Sequence, residues 1–267
     1  MLAPRDRLTI CFAHVAYRFQ ERFAARETGI RSFEVRDLDQ LKARINEADV
    51  LVLSGLWRNE LAASASKLRF VQSASAGIDQ YDQAVFRQHN IRLASAQGVN
   101  AKAVAEHAMA LILALARKLP EGARNQANKV WRGMLGDFDL REDELGGKTL
   151  LIVGLGRIGG RLAKLARAFD MRVIGVRRDP KAGSEDAHGV HGLDELPGLL
   201  PFADYVALTC PLTPETESLI DGAALAAMKP TAALINVARG RCVDEAALIQ
   251  ALNDRTIKAA ALDVTTT

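Results

Sequence analysis

Short apolar runs alternate with polar and amphipathic segments along most of the chain. Strands that are buried on both faces read as continuous apolar runs, so runs separated by helical patterns predict a parallel sheet with helices on both faces. Such runs occur at 8–12, 32–35, 49–54, 68–73 and 91–95, and again at Thr149–Val153, Arg172–Val176, Tyr205–Thr209, Ala232–Val237 and Ala259–Val264. The pattern therefore predicts two α/β units, one in each half of the chain.

The segment between the two groups of strands has a different pattern. Residues Asn100–Lys118 are rich in alanine and leucine and predict one long helix, which Pro120 would end. Residues 121–147 carry several glycines and are predicted to form an irregular arm. We therefore expect one domain at 1–99 and a second at 100–267, joined by the long helix.

Composition and charge narrow the class of protein. The chain has 267 residues, and 35 Lys+Arg against 32 Asp+Glu give a net charge of +3, which argues against nucleic acid or an anionic membrane as a partner. The first residues lack the apolar core of a signal peptide, and the longest apolar run, Ala108–Ala116, is too short to span a bilayer. Three widely spaced cysteines favour a reducing compartment, so a soluble cytoplasmic protein is expected.

A glycine motif follows the first strand of the second group. Gly154, Gly156 and Gly159 form the spacing G-x-G-x-x-G directly after an apolar strand, and an amphipathic helix over 158–169 follows them. Glycines at these positions permit a tight turn, close approach of a pyrophosphate and packing of helix on strand, while the first N–H groups of the helix hold negative charge. A dinucleotide site is predicted here, and a glycine-rich turn without a ligand is the alternative.

The next strand ends in two arginines, at the point where sites specific for NAD place an acidic residue. Arg177 stands 23 residues after Gly154, and Arg178 follows it. A guanidinium suits the 2′-phosphate of NADP, so NADP(H) is favoured over NAD(H). The alternative is that both are solvated surface arginines and that either cofactor binds.

Two further loops leave strand ends of the same predicted sheet. One spans 209–216, and the other, 235–240, contains Arg239 between alanine and glycine. Ligands of open α/β sheets bind at the carboxyl ends of strands, so both loops should face the cofactor. The planar guanidinium of Arg239 either bonds both oxygens of a substrate carboxylate or forms a structural ion pair.

Several strings in this order resemble the D-isomer-specific 2-hydroxyacid dehydrogenase family over nearly the whole chain. They are the glycine motif, Ser73–Asp79, Gly98–Asn100, Val104–His107, Leu145–Thr149, Pro211–Thr216, Asn236–Gly240 and Ala261–Val264. The arginine pair and the loop Ser54–Asn59 look most like the branch that reduces glyoxylate, hydroxypyruvate and related 2-oxo acids. The resemblance implies a flavodoxin-like substrate domain at 1–99 and a Rossmann dinucleotide-binding domain at 100–267. It also implies transfer of hydride between NAD(P)H and C2 of a small 2-oxo acid.

The resemblance implies roles for single residues as well. Arg239 would be the catalytic arginine that binds the substrate carboxylate and polarises the 2-oxo group, and the N–H groups of Ala76 and Gly77 would bind the same carboxylate. The pyrophosphate would lie against Gly154, Gly156 and Gly159, with Arg157 and Ile158 in contact. The remaining cofactor residues would be Arg177, Arg178, Cys210, Pro211, Thr216, Val237, Ala238 and Asp263. The long helix and the arm look like the family's dimerisation elements, so a homodimer is expected.

The sequence departs from the family at its last residues. Family members continue after an Asp-Val string with a catalytic Glu and later with a His that acts as acid–base, whereas Asp263-Val-Thr-Thr-Thr267 stops one residue before that Glu. The last strand of the Rossmann domain and the helix that returns to the first domain are likewise expected to be missing. Hydride transfer to a ketone forms an alkoxide that must be protonated, so impaired turnover is expected. A non-catalytic dinucleotide-binding protein is the alternative.

No other histidine is predicted to replace the missing acid–base. His107 follows Glu106 on the long helix, where neighbouring side chains point about 100° apart, and the family carries this pair without acid–base duty. His188 and His191 are expected at the surface, and His14 follows the first strand with no carboxylate paired to it. The spacing of His, Cys, Asp and Glu predicts no metal site.

Overall fold

The chain folds as two α/β units that meet in sequence between Val99 and Asn100. The structure, a computed structural model, describes residues 2–266, with the side chain of Asp139 left out of the description. Each unit is built on its own sheet, and every strand pair in both sheets is parallel. The predicted fold class, two parallel-sheet α/β domains, is confirmed.

The first unit has a five-stranded sheet in the order β2-β1-β3-β4-β5. This is the flavodoxin-like order, whose ligand cleft lies between β1 and β3 at their carboxyl ends. The strands are β1 (Thr9–Ala13), β2 (Arg31–Val35), β3 (Val50–Leu53), β4 (Phe70–Ser73) and β5 (Arg92–Ala94). The helices are α1 (Phe19–Ala24), α2 (Leu38–Arg44), α3 (Leu61–Ser64) and α4 (Gln83–Gln88). Leu41, Leu51 and Leu68 are fully buried in its core.

The second unit has a six-stranded sheet in the order β11-β10-β9-β6-β7-β8. Read from the other edge, this is the 3-2-1-4-5-6 order of the Rossmann fold, with the change of direction between β6 and β9. The strands are β6 (Thr149–Val153), β7 (Arg172–Val176), β8 (Gly189–His191), β9 (Tyr205–Leu208), β10 (Ala233–Asn236) and β11 (Ala259–Leu262). The further strand and the returning helix that the resemblance implies stay a prediction.

The second unit also contains several helices. They are α5 (Ala101–Ala116), α6 (Leu119–Ala127), α7 (Arg157–Arg167), α8 (Leu196–Leu199), α9 (Gly222–Ala227) and α10 (Glu245–Asn253). All residues of β9 and β10 are buried, which explains why these strands read as unbroken apolar runs. Helix α5 packs against α7, β10 and β11 through a face that contains Ala105, Ala108 and Ile112.

Two local predictions were wrong. Pro120 does not end the long helix but lies in the first turn of α6, because proline lacks only an N–H that the first turn leaves unpaired anyway. The break between α5 and α6 is made by Lys118, whose backbone is left-handed with φ of 49°. The arm predicted to be irregular over 121–147 is helical in its first seven residues, which belong to α6.

Candidate functional site

The turn between β6 and α7 can only be made by glycine at two of its three motif positions. Gly154 has φ of +103°, and a Cβ there would lie 2.5 Å from both Cα and N of Cys210. A Cβ on Gly159 would collide with the carbonyl oxygen of Gly154. Gly156 differs, because nothing within 4 Å opposes a Cβ at that position. The first and third glycines pack the turn, and the second leaves open space in front of the backbone.

Helix α7 begins at this open space with its N-terminus uncapped by a side chain. Arg157, in the first turn, is exposed, while Ile158 is partly buried and packs against the apolar core of this unit. The N–H groups of the first turn and the helix dipole make such an N-terminus suitable for binding an anion. The sequence-predicted residues Gly154, Gly156 and Arg157 therefore surround a cradle whose chemistry fits a pyrophosphate.

The two arginines after β7 have different surroundings. Arg177 donates from Nη1 to the carbonyl oxygen of Gly183 over 3.0 Å, which ties it to the loop before β8. Arg178 is exposed. A hydrogen bond from Thr213, and more weakly the charge of Arg178, lower the pKa of Glu215. The loops that follow β7 and β9 thus approach each other at the carboxyl edge of the sheet.

The loop after β9 is held together by its own hydroxyl groups. Thr209 donates from Oγ1 to the carbonyl oxygen of Gly154 over 2.8 Å, which joins the loop to the glycine turn. Thr216 is buried, and its hydroxyl donates to the carbonyl oxygen of Pro211 over 2.7 Å and accepts from the N–H of Thr213. This bonding gives Thr216 a structural role in shaping the loop, whichever ligand the loop contacts.

Cys210 is buried behind this loop beside a second thiol that the sequence did not pair with it. Cys210 and Cys242 are both free cysteines and are buried in the same apolar cluster. A hydrogen bond with Cys242, and burial, raise the pKa of the Cys210 thiol far above its usual range. Cys210 is therefore a small packed residue rather than a nucleophile.

Asn236 positions the loop that carries Arg239. It is buried at the end of β10, donates from Nδ2 to the carbonyl oxygen of Arg239 over 2.8 Å, and accepts from the N–H of Ala238 over 3.0 Å. Val237 and Ala238 are buried in the core, whereas Arg239 is partly exposed. Asn236 was not predicted as a site residue, although an asparagine at the end of an apolar strand is a usable signal because it can bond to nearby backbone.

Asp263 follows β11, the strand next to β10. Its N–H donates to the carbonyl oxygen of Asn236 over 2.9 Å, and its Oδ1 lies 3.3 Å from Nε2 of His107 on α5. The sequence places His107 next to Glu106 and does not predict its pairing with Asp263. Residues so far apart in the chain give no local signal of contact.

Ala76 and Gly77 lie in the first unit, in the loop after β4. Ser75, just before them, is fixed by hydrogen bonds of its N–H to Ser73 Oγ over 3.1 Å and of its hydroxyl with that of Ser54 over 2.8 Å. Within residues 2–266 the N–H groups of Ala76 and Gly77 have no hydrogen-bond acceptor in the protein. This loop stands at the carboxyl end of its sheet, and its N–H groups can bind an anion.

Three other histidines, at positions 14, 188 and 191, serve local structure. Nδ1 of His14 accepts hydrogen bonds from the N–H groups of Ala16 and Tyr17. Nδ1 of His188 accepts from the N–H of Val173, and His191 pairs with Glu195 over 2.9 Å. Among the described residues there is no group of three or more His, Cys, Asp or Glu that could hold a metal ion, and no helix has the length and apolarity needed to cross a membrane.

Comparison with known families gives one match to more than half of the chain. Residues 109–267 match the sequence model of the NAD binding domain of D-isomer specific 2-hydroxyacid dehydrogenases. A Staphylococcus saprophyticus protein provisionally named as a 2-hydroxyacid dehydrogenase is 37% identical over 230 residues, which are 85% of this chain and 72% of that protein.

Two further similarities concern a longer protein and a solved structure. The D-3-phosphoglycerate dehydrogenase of Methanocaldococcus jannaschii is 36% identical over 85% of this chain, and the match spans only 43% of that enzyme. The crystal structure of a D-isomer specific 2-hydroxyacid dehydrogenase family protein from Aeromonas salmonicida superposes with a TM-score of 0.85 at 27% identity. That superposition covers 98% of this chain and 82% of the other.

Proposed function

Because the chain belongs to the D-isomer specific 2-hydroxyacid dehydrogenase family, we propose that it binds NADP(H) in its second unit and transfers hydride between this cofactor and C2 of a small 2-oxo acid. One observation carries the proposal. The glycine turn, the Asn236-braced loop with Arg239 and the loop after β9 all leave the carboxyl edge of one Rossmann sheet. That edge is where a dinucleotide and its substrate bind in this fold.

In this proposal, the chain's residues bind the charged groups of cofactor and substrate and orient both ligands. The N–H groups at the start of α7 neutralise the pyrophosphate, and the open face of Gly156 lets it approach the backbone. The guanidinium of Arg239 bonds the substrate carboxylate and polarises the 2-oxo oxygen. When bound, the reduced nicotinamide supplies the hydride. Ala76 and Gly77, Val237, Ala238, Cys210, Pro211 and Asp263 remain proposed contacts of substrate or cofactor.

Proton transfer is the step for which the sequence up to Thr267 offers no residue that the resemblance assigns to it. The alkoxide formed at C2 needs a proton, and the Glu and His that the resemblance assigns to this task have no counterpart in the sequence up to Thr267. We expect a polypeptide of these 267 residues to bind cofactor and substrate but to turn over roughly 10²–10⁴-fold more slowly than a family member with the acid–base.

We propose glyoxylate or hydroxypyruvate as the substrate. The two alternatives to be tested are a different substrate and a protein that catalyses no reaction. Some relatives are named D-3-phosphoglycerate dehydrogenase, so D-3-phosphoglycerate is the competing substrate. Steady-state assays with the three compounds, each at saturating NADPH or NADP, compare their kcat/KM values. Binding of NADPH without any turnover would support the alternative of a non-catalytic dinucleotide-binding protein.

The role of Arg239 is tested by substitution. Arg239→Ala should raise the Kd of oxalate, a non-reacting mimic of the 2-oxo acid, by about 100-fold, because a bidentate charged contact is lost. Isothermal titration in saturating NADPH measures this constant even if turnover is slow. Arg241→Ala is the matched control, since Arg241 lies two residues on and pairs with Glu217 at the surface over 2.6 Å. Equal effects of both substitutions would contradict the assignment.

The cofactor preference is tested on the arginines after β7. The double variant Arg177→Ser and Arg178→Ser should weaken NADPH binding about tenfold and leave NADH binding unchanged, because only NADPH carries the 2′-phosphate. Fluorescence titration gives both dissociation constants. Arg172→Ser, at the exposed opposite end of the same strand, is the control. Tighter binding of NADH than of NADPH by the unaltered chain would contradict the preference.

The arm supports a homodimer as the proposed assembly. Trp131, Met134 and Phe138 are almost fully exposed, although they are large apolar side chains. Exposed apolar side chains in one segment mark an interaction surface more often than isolated ones do.

The three free cysteines, all buried, support the proposal of a cytoplasmic location.

A further inference from the structure

Residues 264–266, which follow β11, form a crossing segment whose backbone lies directly on the loop of Arg239. A Cβ on Gly240 would lie 2.5 Å from the backbone N of Thr266 and would also collide with the carbonyl group of Thr265. Gly240 is buried, and its φ lies outside the left-handed region. The contact with the crossing segment, rather than the backbone conformation, therefore makes glycine necessary directly after Arg239.

Glu245 binds the crossing segment with both oxygens of its carboxylate. Its Oε1 accepts from the N–H of Thr266 over 2.6 Å, and its Oε2 accepts from the hydroxyl of the same threonine. Glu245 is the first residue of α10, where the helix dipole favours a negative charge. Hydrogen bonds to an ionised carboxylate are stronger than those between neutral groups. The far end of the crossing segment is therefore attached to the start of α10.

The near end of the crossing segment is attached to β10. The N–H of Asp263, the residue before the segment, donates to the carbonyl oxygen of Asn236 over 2.9 Å. The carbonyl oxygen of Arg239 accepts from Nδ2 of Asn236 and, over 3.1 Å, from the N–H of Cys242. The backbone of Arg239 is thus bonded within its own loop, and the crossing segment packs on the residue that follows it.

The position of this backbone matters for binding an acid, because a bidentate pair needs the guanidinium aligned with both carboxylate oxygens. We propose that Glu245 is a positioning residue: by binding Thr266 it keeps the crossing segment on Gly240, and so fixes the backbone from which the Arg239 side chain extends. This inference rests on the proposed function of Arg239. A charge that served only the N-terminus of α10 would stabilise the helix without changing the affinity for the substrate acid.

The test compares two neighbouring carboxylates at the start of α10 by the binding of oxalate. Glu245→Ala should raise the Kd of oxalate about fivefold in saturating NADPH, because two exposed hydrogen bonds to a charged group are lost. Asp244→Ala is the matched control, since Asp244 caps the same helix by bonding Ala247, and it should leave this Kd unchanged. Glu245→Gln, which offers an acceptor to the N–H of Thr266 and a donor to its hydroxyl, should bind oxalate like the unaltered chain.

A second substitution determines whether Glu245 acts through the crossing segment. Thr266→Ala should raise the Kd of oxalate about threefold in the unaltered chain and should have no effect in a Glu245→Ala background, because the bond that it removes is already lost. Thr266→Ser, which keeps the hydroxyl at this exposed position, should bind oxalate like the unaltered chain.

Thermal melting of each variant separates loss of fold from loss of positioning. If Glu245→Ala is unfolded, the comparison of Thr266→Ala with Thr266→Ser replaces it, and equal Kd values of these two variants would overturn the inference. Equal effects of Glu245→Ala and Asp244→Ala, or of Thr266→Ala in both backgrounds, would also overturn it while the proposed function stands. Failure of the unaltered chain to bind NADPH or oxalate would overturn the proposed function, and this inference with it.

Discussion

At the scale of single residues, the three glycines of the turn between β6 and α7 differ in why glycine is needed. Gly154 faces the backbone of Cys210, Gly159 faces the carbonyl of Gly154, and Gly156 faces open space. The spacing G-x-G-x-x-G predicts all three glycines, but only their surroundings show which are required for folding and which for a ligand. His107 reverses the case, because its partner Asp263 is distant in sequence and is brought to it only by the fold.

A substitution at Gly154 separates these effects. Gly154→Ala should lower the free energy of unfolding by roughly 2–4 kcal/mol, since it adds both a strained positive φ and a collision with the Cys210 backbone. Gly160→Ala is the matched control: it lies in α7 with nothing within 4 Å of the added Cβ, and should stabilise the helix by up to about 1 kcal/mol. Chemical denaturation measures both. Equal stability of the two variants would contradict the close contact at Gly154.

At the scale of elements, the strands follow closely from the sequence, whereas the ends of helices do not. Strands β6, β7, β9, β10 and β11 coincide with predicted apolar runs to within one or two residues, because both faces of the central strands are buried. Helix junctions are decided by less obvious features. Proline is common both just after a helix and in the first turn of the next one, so Pro120 alone does not decide between these positions. The left-handed backbone of Lys118 ends α5, and Pro120 therefore lies in the first turn of α6.

Helix α10, which follows the Arg239 loop, allows a test of how much a capping side chain stabilises a helix end. The carboxylate of Asp244 caps the helix by accepting from the N–H of Ala247 over 3.0 Å. Asp244→Ala should therefore lower the free energy of unfolding by about 1 kcal/mol, and Asp244→Ser should recover most of it. Asp254→Ala, at the other end of the same helix, should cost less, because a carboxylate there opposes the helix dipole. The four melting curves give the comparison, and a larger loss for Asp254→Ala would contradict it.

At the scale of the whole molecule, the exposed apolar side chains of the arm are the feature that a lone chain leaves unexplained. If they form a homodimer contact, light scattering coupled to size exclusion should give twice the chain mass of 28.9 kDa. Trp131→Glu with Met134→Glu should then give the monomer mass, because two charges would be buried without partners. Ile249→Glu, at another exposed apolar position outside the arm, should leave the mass unchanged. A monomer from the unaltered chain would contradict the dimer.

The sequence by itself determined the two parallel α/β units, the dinucleotide motif and the candidate Arg239. These features depend on local patterns: burial on both faces makes strands apolar, and a tight phosphate-binding turn admits few residue types. Tertiary structure alone decided the partners of those residues. The hydrogen bond of Thr209 to Gly154 and the pairing of His107 with Asp263 join residues from different elements. Such contacts arise when helices pack on a sheet, and no spacing within one segment encodes them.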